Sequence, residues 1–108
     1  MDDAEAELKR LREAIDRVDD VLVKLLNQRA KYAVEIGEIK GHLSLPVYSP
    51  EREAWILERV MRENPGPLDP MAVKRVFERV IDESRRLERL AADGPDPAWG
   101  SGGDGKGD

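Results

Sequence analysis

Apolar residues recur at alternating steps of three and four through the first part of the chain, which is the period of one face of an α-helix. The apolar stripe consists of Leu8, Leu11, Ile15, Val18, Leu22, Leu25, Tyr32, Ile36 and Ile39. It predicts one helix from about Ala4 to His42, which the glycine and proline of residues 41–46 then end.

Two further helices are indicated by the same period and by their start signals. Ser49-Pro50 is an N-cap residue followed by proline at the first helical position, and this helix would end at about Glu63, before Asn64-Pro65. Asp69-Pro70 repeats the signal and begins a third helix that reaches about Leu90. Because no alternating strand pattern is present, we expect an all-α fold of three helices, one of them very long.

The length of the first helix predicts association between chains. Nearly forty residues make a helix of about 55–60 Å at 1.5 Å per residue. A compact domain of about 90 residues is only about 30–35 Å across. The long helix must therefore protrude, and two chains pairing along these helices would cover its apolar face. We expect a homodimer.

Composition narrows the class of protein. The chain has 108 residues, 38% of them charged, and no cysteine, which excludes disulfides, thiolate metal sites and a cysteine nucleophile. Residues 93–108 hold six of the nine glycines and are interpreted as a disordered tail, so that the folded domain spans residues 1–92. Without the tail, the chain has 17 basic and 19 acidic residues, and this near-neutral net charge argues against nucleic-acid binding. The N-terminus has no signal peptide and no apolar run reaches membrane-spanning length, so a cytoplasmic protein is predicted.

Charged and polar residues interrupt the inward faces of all three helices. Arg29 occupies the slot between Leu25 and Tyr32 in the first helix. Burying a cation without a partner is costly, so such a residue either pairs inside the protein or faces an anion. A single inward charge is more often half of an ion pair, but seven polar residues with an excess of cations predict a pocket for a small polyanion. The seven are Arg12, Arg29, Lys40, Arg52, Glu53, Ser84 and Glu88. The pattern does not name the anion.

Four strings of residues carry a resemblance to a known family. LREAIDRVDDVLVKLLNQR, GEIK, PEREAWILER and VFERVIDES, in this order and spacing, resemble the all-helical (type II) class of chorismate mutase over residues 5–90. The resemblance implies an intertwined homodimer of three-helix chains that rearranges chorismate to prephenate, on the way to phenylalanine and tyrosine. This pericyclic reaction needs no nucleophile, so neither metal nor cofactor is expected. Mutase domains of this kind are often fused to other shikimate-pathway enzymes, and the glycine-rich tail leaves open a truncated fusion or a partner enzyme.

The resemblance also assigns roles to residues. Arg12 matches the arginine that reaches across into the partner's site, and Arg29 the one that binds a substrate carboxylate within its own subunit. Lys40 matches the lysine that contacts the ether oxygen of the substrate and a carboxylate. Arg52 and Glu53 match an Arg-Glu pair at the start of the second helix, in which the acid holds the ring hydroxyl.

Three further positions complete the expected site. Ser84 matches a serine that contacts a carboxylate, and Glu88 has the place of the second ether-oxygen contact. Many relatives carry an acidic residue at the position of Ser49 and a glutamine at the position of Glu88. A serine preserves the helix cap, but whether residue 49 contacts a substrate carboxylate stays open. An ionised Glu88 could not donate a hydrogen bond to the ether oxygen. We therefore hypothesise that Glu88 acts in its protonated form, which predicts activity that favours acidic pH.

Other interpretations stay open from the sequence. An isochorismate-pyruvate lyase shares this fold, although we expect an apolar residue at the Glu53 position in such lyases. A non-catalytic regulatory domain and a structural helical dimer with buried ion pairs are the remaining alternatives, and the latter would bind no dianion. The neighbouring Arg85 and Arg86 are interpreted as a solvated face.

Overall fold

The three predicted helices and the all-α fold are confirmed by a computed structural model, which describes residues 3–94. The helices are α1 (Asp3–Leu43), α2 (Pro50–Glu63) and α3 (Pro70–Asp93), and residues 3–94 contain no strand. None of these helices is long and apolar enough to cross a membrane.

The helix α3 ends one turn later than the sequence analysis expected, at Asp93 instead of about Leu90. Ala91 and Ala92 favour helix, and the backbone N–H of Gly94 donates to the Leu90 carbonyl oxygen at 3.0 Å, which closes the last turn. Asp93 therefore belongs to the helix and not to the predicted tail. The rest of that tail, residues 95–108, lies outside the described residues.

Side-chain caps fix where α2 and α3 begin. The Ser49 hydroxyl accepts a hydrogen bond from the Arg52 backbone N–H at 3.4 Å, and the Asp69 carboxylate accepts one from Ala72 at 2.9 Å. Pro50 and Pro70 follow the caps as the first helical residues, where a missing N–H costs nothing. These contacts match the start signals in the sequence.

The helix α3 is the middle element of the fold. It packs against α1 and against α2, whereas α1 and α2 do not contact each other within residues 3–94. Two glycines bring α1 close to α3: a Cβ at Gly41 would lie 2.5 Å from the Ala92 carbonyl oxygen, and one at Gly37 would collide with the Glu88 backbone. The two backbones meet with no side chain between them. Side chains next to these glycines on α1 can therefore form hydrogen bonds with α3.

The described chain is elongated and has little interior. It measures 64 × 31 × 14 Å, and its radius of gyration of 19.3 Å exceeds the roughly 12 Å of a compact domain of this size. Ala33 and Ile81 are its only buried hydrophobic residues, while Ile15 and Val18 on the apolar stripe of α1 are 58% and 63% exposed. This exposed stripe is the surface that the predicted dimer would cover.

Candidate active site

A groove opens beside α3, between the second half of α1 and the first two turns of α2. Residues 45–49, which connect α1 to α2, close one side of it, and its volume is about 770 Å³. This is within the usual range of small-molecule sites. The groove brings together seven of the eight predicted site residues: Arg29, Lys40, Ser49, Arg52, Glu53, Ser84 and Glu88.

Arg29 joins α1 to α3 at one end of the groove. Its Nη1 donates to the Ser84 hydroxyl at 2.5 Å. Burial lowers the pKa of Arg29, the nearby positive charge of Arg52 lowers it further, and Glu88 acts in the opposite direction. The guanidinium stays charged in any protein. Arg29 is thus a partly buried cation close to a second cation. Binding of an anion between the two guanidinium groups would therefore be favourable.

Lys40 joins α1 to α3 at the other end of the groove. Its Nζ donates to Glu88 Oε1 and to the Val47 carbonyl oxygen, each at 2.8 Å. Both side chains are largely enclosed, with 20% of Lys40 and 17% of Glu88 exposed. An ammonium group has three N–H donors, so one remains for a ligand. Because Glu88 accepts from Lys40 through Oε1, its other oxygen would have to carry the proton that the hypothesis requires.

Arg52 and Glu53 point to different partners although they are neighbours on α2. The Arg52 guanidinium lies over the ring of Trp55, 4.8 Å from its centroid, and forms no ion pair with any described residue. Glu53 instead accepts two hydrogen bonds from Arg85, each 2.9 Å long.

Arg85 lines the groove, a position that the sequence analysis missed. The interpretation of Arg85 and Arg86 as a solvated face is wrong for Arg85, which is 28% exposed and lines the groove; Arg86 is 65% exposed and does face solvent. One signal could have found it: Arg85 follows Ile81 by four residues, the spacing of one helix face. The positive charge of Arg85 instead favoured its interpretation as a solvent-facing residue.

Arg12 lies outside this groove. It is exposed on α1, 17 residues before Arg29, which is about 25 Å along a helix axis. It cannot contact a ligand in the groove of its own chain. Its predicted role in the site of a partner subunit stays a prediction.

The charges of the groove divide into paired and unpaired groups. Lys40 pairs with Glu88, and Arg85 pairs with Glu53. Arg29 and Arg52 form no ion pair with a described residue, and Arg29 feels the charge of Arg52. Two guanidinium groups without an ion-pair partner in one groove suit a ligand with two negative groups, since arginine binds carboxylates through parallel hydrogen bonds.

Comparison with known proteins agrees with this geometry. A family model described as chorismate mutase type II matches residues 11–89. A bifunctional chorismate mutase/prephenate dehydratase of Aquifex aeolicus is 41% identical over 87 residues, which cover 77% of this chain and 24% of that protein. The chain spans about a quarter of the length of the bifunctional relatives that it matches.

Solved structures show the same fold. Chorismate mutase (Form II) from Thermus thermophilus is 34% identical, with a TM-score of 0.75, over 76% of this chain and 93% of that one. Chorismate mutase from Helicobacter pylori in complex with prephenate is 30% identical, also with a TM-score of 0.75, over 84% of this chain and 99% of that one.

Proposed function

Because this chain belongs to the type II chorismate mutase family, we propose that it catalyses the rearrangement of chorismate to prephenate. The observation that carries the proposal is that Arg29 and Arg52, two arginines without an ion-pair partner among the described residues, lie in the same groove as the Lys40–Glu88 pair. Relatives named as chorismate mutases and a related structure that contains prephenate support it. The lyase alternative predicts an apolar residue at position 53, and the charged Glu53 does not agree with it.

The arginines would act by holding the substrate in its reactive shape. Chorismate carries two carboxylates, one on the ring and one on the side chain that must fold over it. Arg29 of α1, with Ser84 of α3 beside it, and Arg52 of α2 offer donors from three different helices for these groups. Binding both carboxylates holds the flexible substrate in a conformation in which its reacting carbons are close together, and this lowers the entropic part of the activation barrier.

Lys40 and Glu88 would act on the bond that breaks. In the rearrangement the ether C–O bond breaks while a C–C bond forms, with no net gain or loss of a proton. Negative charge grows on the ether oxygen in the transition state. A donor at this oxygen binds the transition state more strongly than the substrate, which is the kind of binding that accelerates a reaction. The free N–H of Lys40 supplies one such donor and a protonated Glu88 would supply a second.

The active form is proposed to be an intertwined homodimer with two equivalent sites. The apolar stripe of α1 is about half exposed in the single chain, and the described residues bury few hydrophobic side chains. Arg12 is outside its own groove, so a partner chain lying along α1 would be needed to bring it to a ligand. Each site would then be completed by the partner's arginine.

A partner enzyme of the shikimate pathway and a cytoplasmic location are proposed as well. Several relatives combine chorismate mutase with prephenate dehydratase in one polypeptide. Such an enzyme would consume the product of this groove.

The test is to mix purified protein with chorismate, follow the loss of its ultraviolet absorbance and identify the product by chromatography. Prephenate formed well above the uncatalysed rate would support the proposal. Release of pyruvate from isochorismate, with no turnover of chorismate, would support the lyase. Absence of any thermal shift with prephenate would instead favour a structural helical dimer.

The role of Glu88 leads to a prediction about pH. The wild-type rate is expected to be highest at acidic pH, because only a protonated carboxyl group at Glu88 can donate to the ether oxygen. Glu88→Gln replaces it with an amide that donates at every pH, so its kcat/KM should stay nearly flat from about pH 5 to 8. The matched control is Glu83→Gln on the same helix, whose side chain is 47% exposed and outside the groove. Parallel profiles for wild type and Glu88→Gln would rule out the protonated form.

A further inference from the structure

We infer that Arg85 is a positioning residue: it fixes the Glu53 carboxylate in the groove as an acceptor for the hydroxyl group of the bound ligand. The inference rests on the proposed function and on the role that the resemblance implies for Glu53, which is to hold the ring hydroxyl. It adds a residue on α3 that the resemblance to the family did not assign.

The contact between the two side chains is bidentate. Arg85 Nε donates to Glu53 Oε2 and Arg85 Nη2 donates to Glu53 Oε1, both at 2.9 Å. Two parallel N–H···O bonds fix the plane of the carboxylate as well as its position, which a single contact would not do. The pair also connects α2 to α3, on two sides of the groove.

Arg85 is itself held in place. Its Nη2 also donates to Asp82 Oδ1 at 3.2 Å, and its guanidinium lies 5.5 Å from the centroid of the Tyr48 ring. The hydrogen bonds to Glu53 raise the pKa of Arg85, so its positive charge is secure at any working pH. Glu53 therefore has a rigid partner instead of a mobile surface cation.

No other described cation fixes Glu53. The nearest in sequence, Arg52, lies over the Trp55 ring. Lys40 is engaged with Glu88. If Arg85 were absent, Glu53 would be free to rotate toward these cations, and an ion pair there would occupy charges proposed to hold the substrate.

The pairing gives Glu53 a selective role. A carboxylate has about four acceptor positions and no donor. Arg85 occupies one position on each oxygen, and the remaining ones can only accept. Glu53 thus suits a ligand with a hydroxyl donor at this place and would repel one with a negative group there.

The experiment compares Arg85→Met, Glu53→Gln and the double variant, with Arg86→Met as the matched control. Arg86 is the adjacent arginine of the same helix but faces solvent. The measurements are the Kd for prephenate by calorimetry, and kcat and KM with chorismate. We expect Arg85→Met to raise Kd and KM about tenfold with kcat changed less than about twofold, because the hydroxyl contact binds substrate and transition state alike. Arg86→Met should leave all three unchanged.

The double variant distinguishes positioning from direct contact with the ligand. If Arg85 acts through Glu53, its replacement should add nothing to the loss already caused by Glu53→Gln. Losses that add would show instead that Arg85 binds a ligand carboxylate itself, and an unchanged Kd for Arg85→Met would show no role; either result overturns the inference. If Arg85→Met does not fold, Arg85→Lys takes its place, since lysine keeps the charge but cannot form the two parallel bonds.

The outcomes for the wild type separate the two proposals. A wild-type protein that binds prephenate but does not convert chorismate contradicts the proposed function, and the Kd values still decide the role of Arg85. A wild-type protein that neither binds nor converts contradicts both.

Discussion

Replacing Lys40 with methionine is expected to lower kcat/KM for chorismate by about 10²–10³-fold, the cost of removing one preorganised donor at a developing oxyanion. Methionine keeps the apolar stem of lysine, so the packing of α1 against α3 should change little. The ammonium group, however, is the donor held between Glu88 and the Val47 carbonyl. Its removal also leaves Glu88 without its lysine partner in the groove.

Steady-state rates and circular dichroism check this expectation. The matched control is Lys31→Met, which removes the same group from an exposed position of α1 outside the groove. Equal losses in the two variants would mean that the change acts through net charge. Near wild-type activity of Lys40→Met would remove Lys40 from the proposed mechanism.

Mixing two inactive variants is expected to restore activity. Arg12→Ala and Arg29→Ala should each retain less than about 1% of wild-type kcat/KM, because each removes a charge-assisted contact to a substrate carboxylate. In the proposed dimer, a mixed pair would contain one site with Arg29 from its own chain and Arg12 from the other. Random pairing makes half of the dimers mixed, with one intact site in each, so about a quarter of the wild-type activity should return.

The experiment requires that the two variants be unfolded and refolded together, so that the result does not depend on how fast preformed dimers exchange chains. Each variant refolded alone is the control. Recovery of no activity in the mixture, with both variants folded and dimeric, would show that Arg12 does not complete the partner's site. It would leave the assignment of the groove residues intact, because these lie within one chain.

The helices and most of the groove were predictable because their signals are local. Ser49-Pro50 and Asp69-Pro70 start helices through contacts within one turn, so a short stretch of sequence determines them. Arg29 and Lys40 follow from the apolar period of α1, which fixes the face on which a residue lies. The extra turn of α3 was missed because it depends on a backbone contact made by Gly94, after the periodic stripe has ended.

The pairings inside the groove were not predictable from period alone. Arg85 and Arg86 are identical residues side by side, and only the four-residue step from Ile81 to Arg85 indicates which one turns inward. The deciding partner is Glu53, which lies 32 positions earlier and on another helix. Likewise, the contact of Lys40 with Glu88 depends on how closely α1 approaches α3, which Gly37 and Gly41 permit. Such contacts follow from the assembled fold.

If the chain forms the proposed dimer, the scarcity of residues buried within one chain would make folding depend on protein concentration. With Ala33 and Ile81 as the only buried hydrophobic residues among those described, the proposed dimer would gain much of its folding free energy when two chains meet. By mass action, each tenfold dilution then removes about 1.4 kcal/mol from the stability of the pair. Under that proposal, a fall in the abundance of the chain would lower the fraction of it that is folded and dimeric.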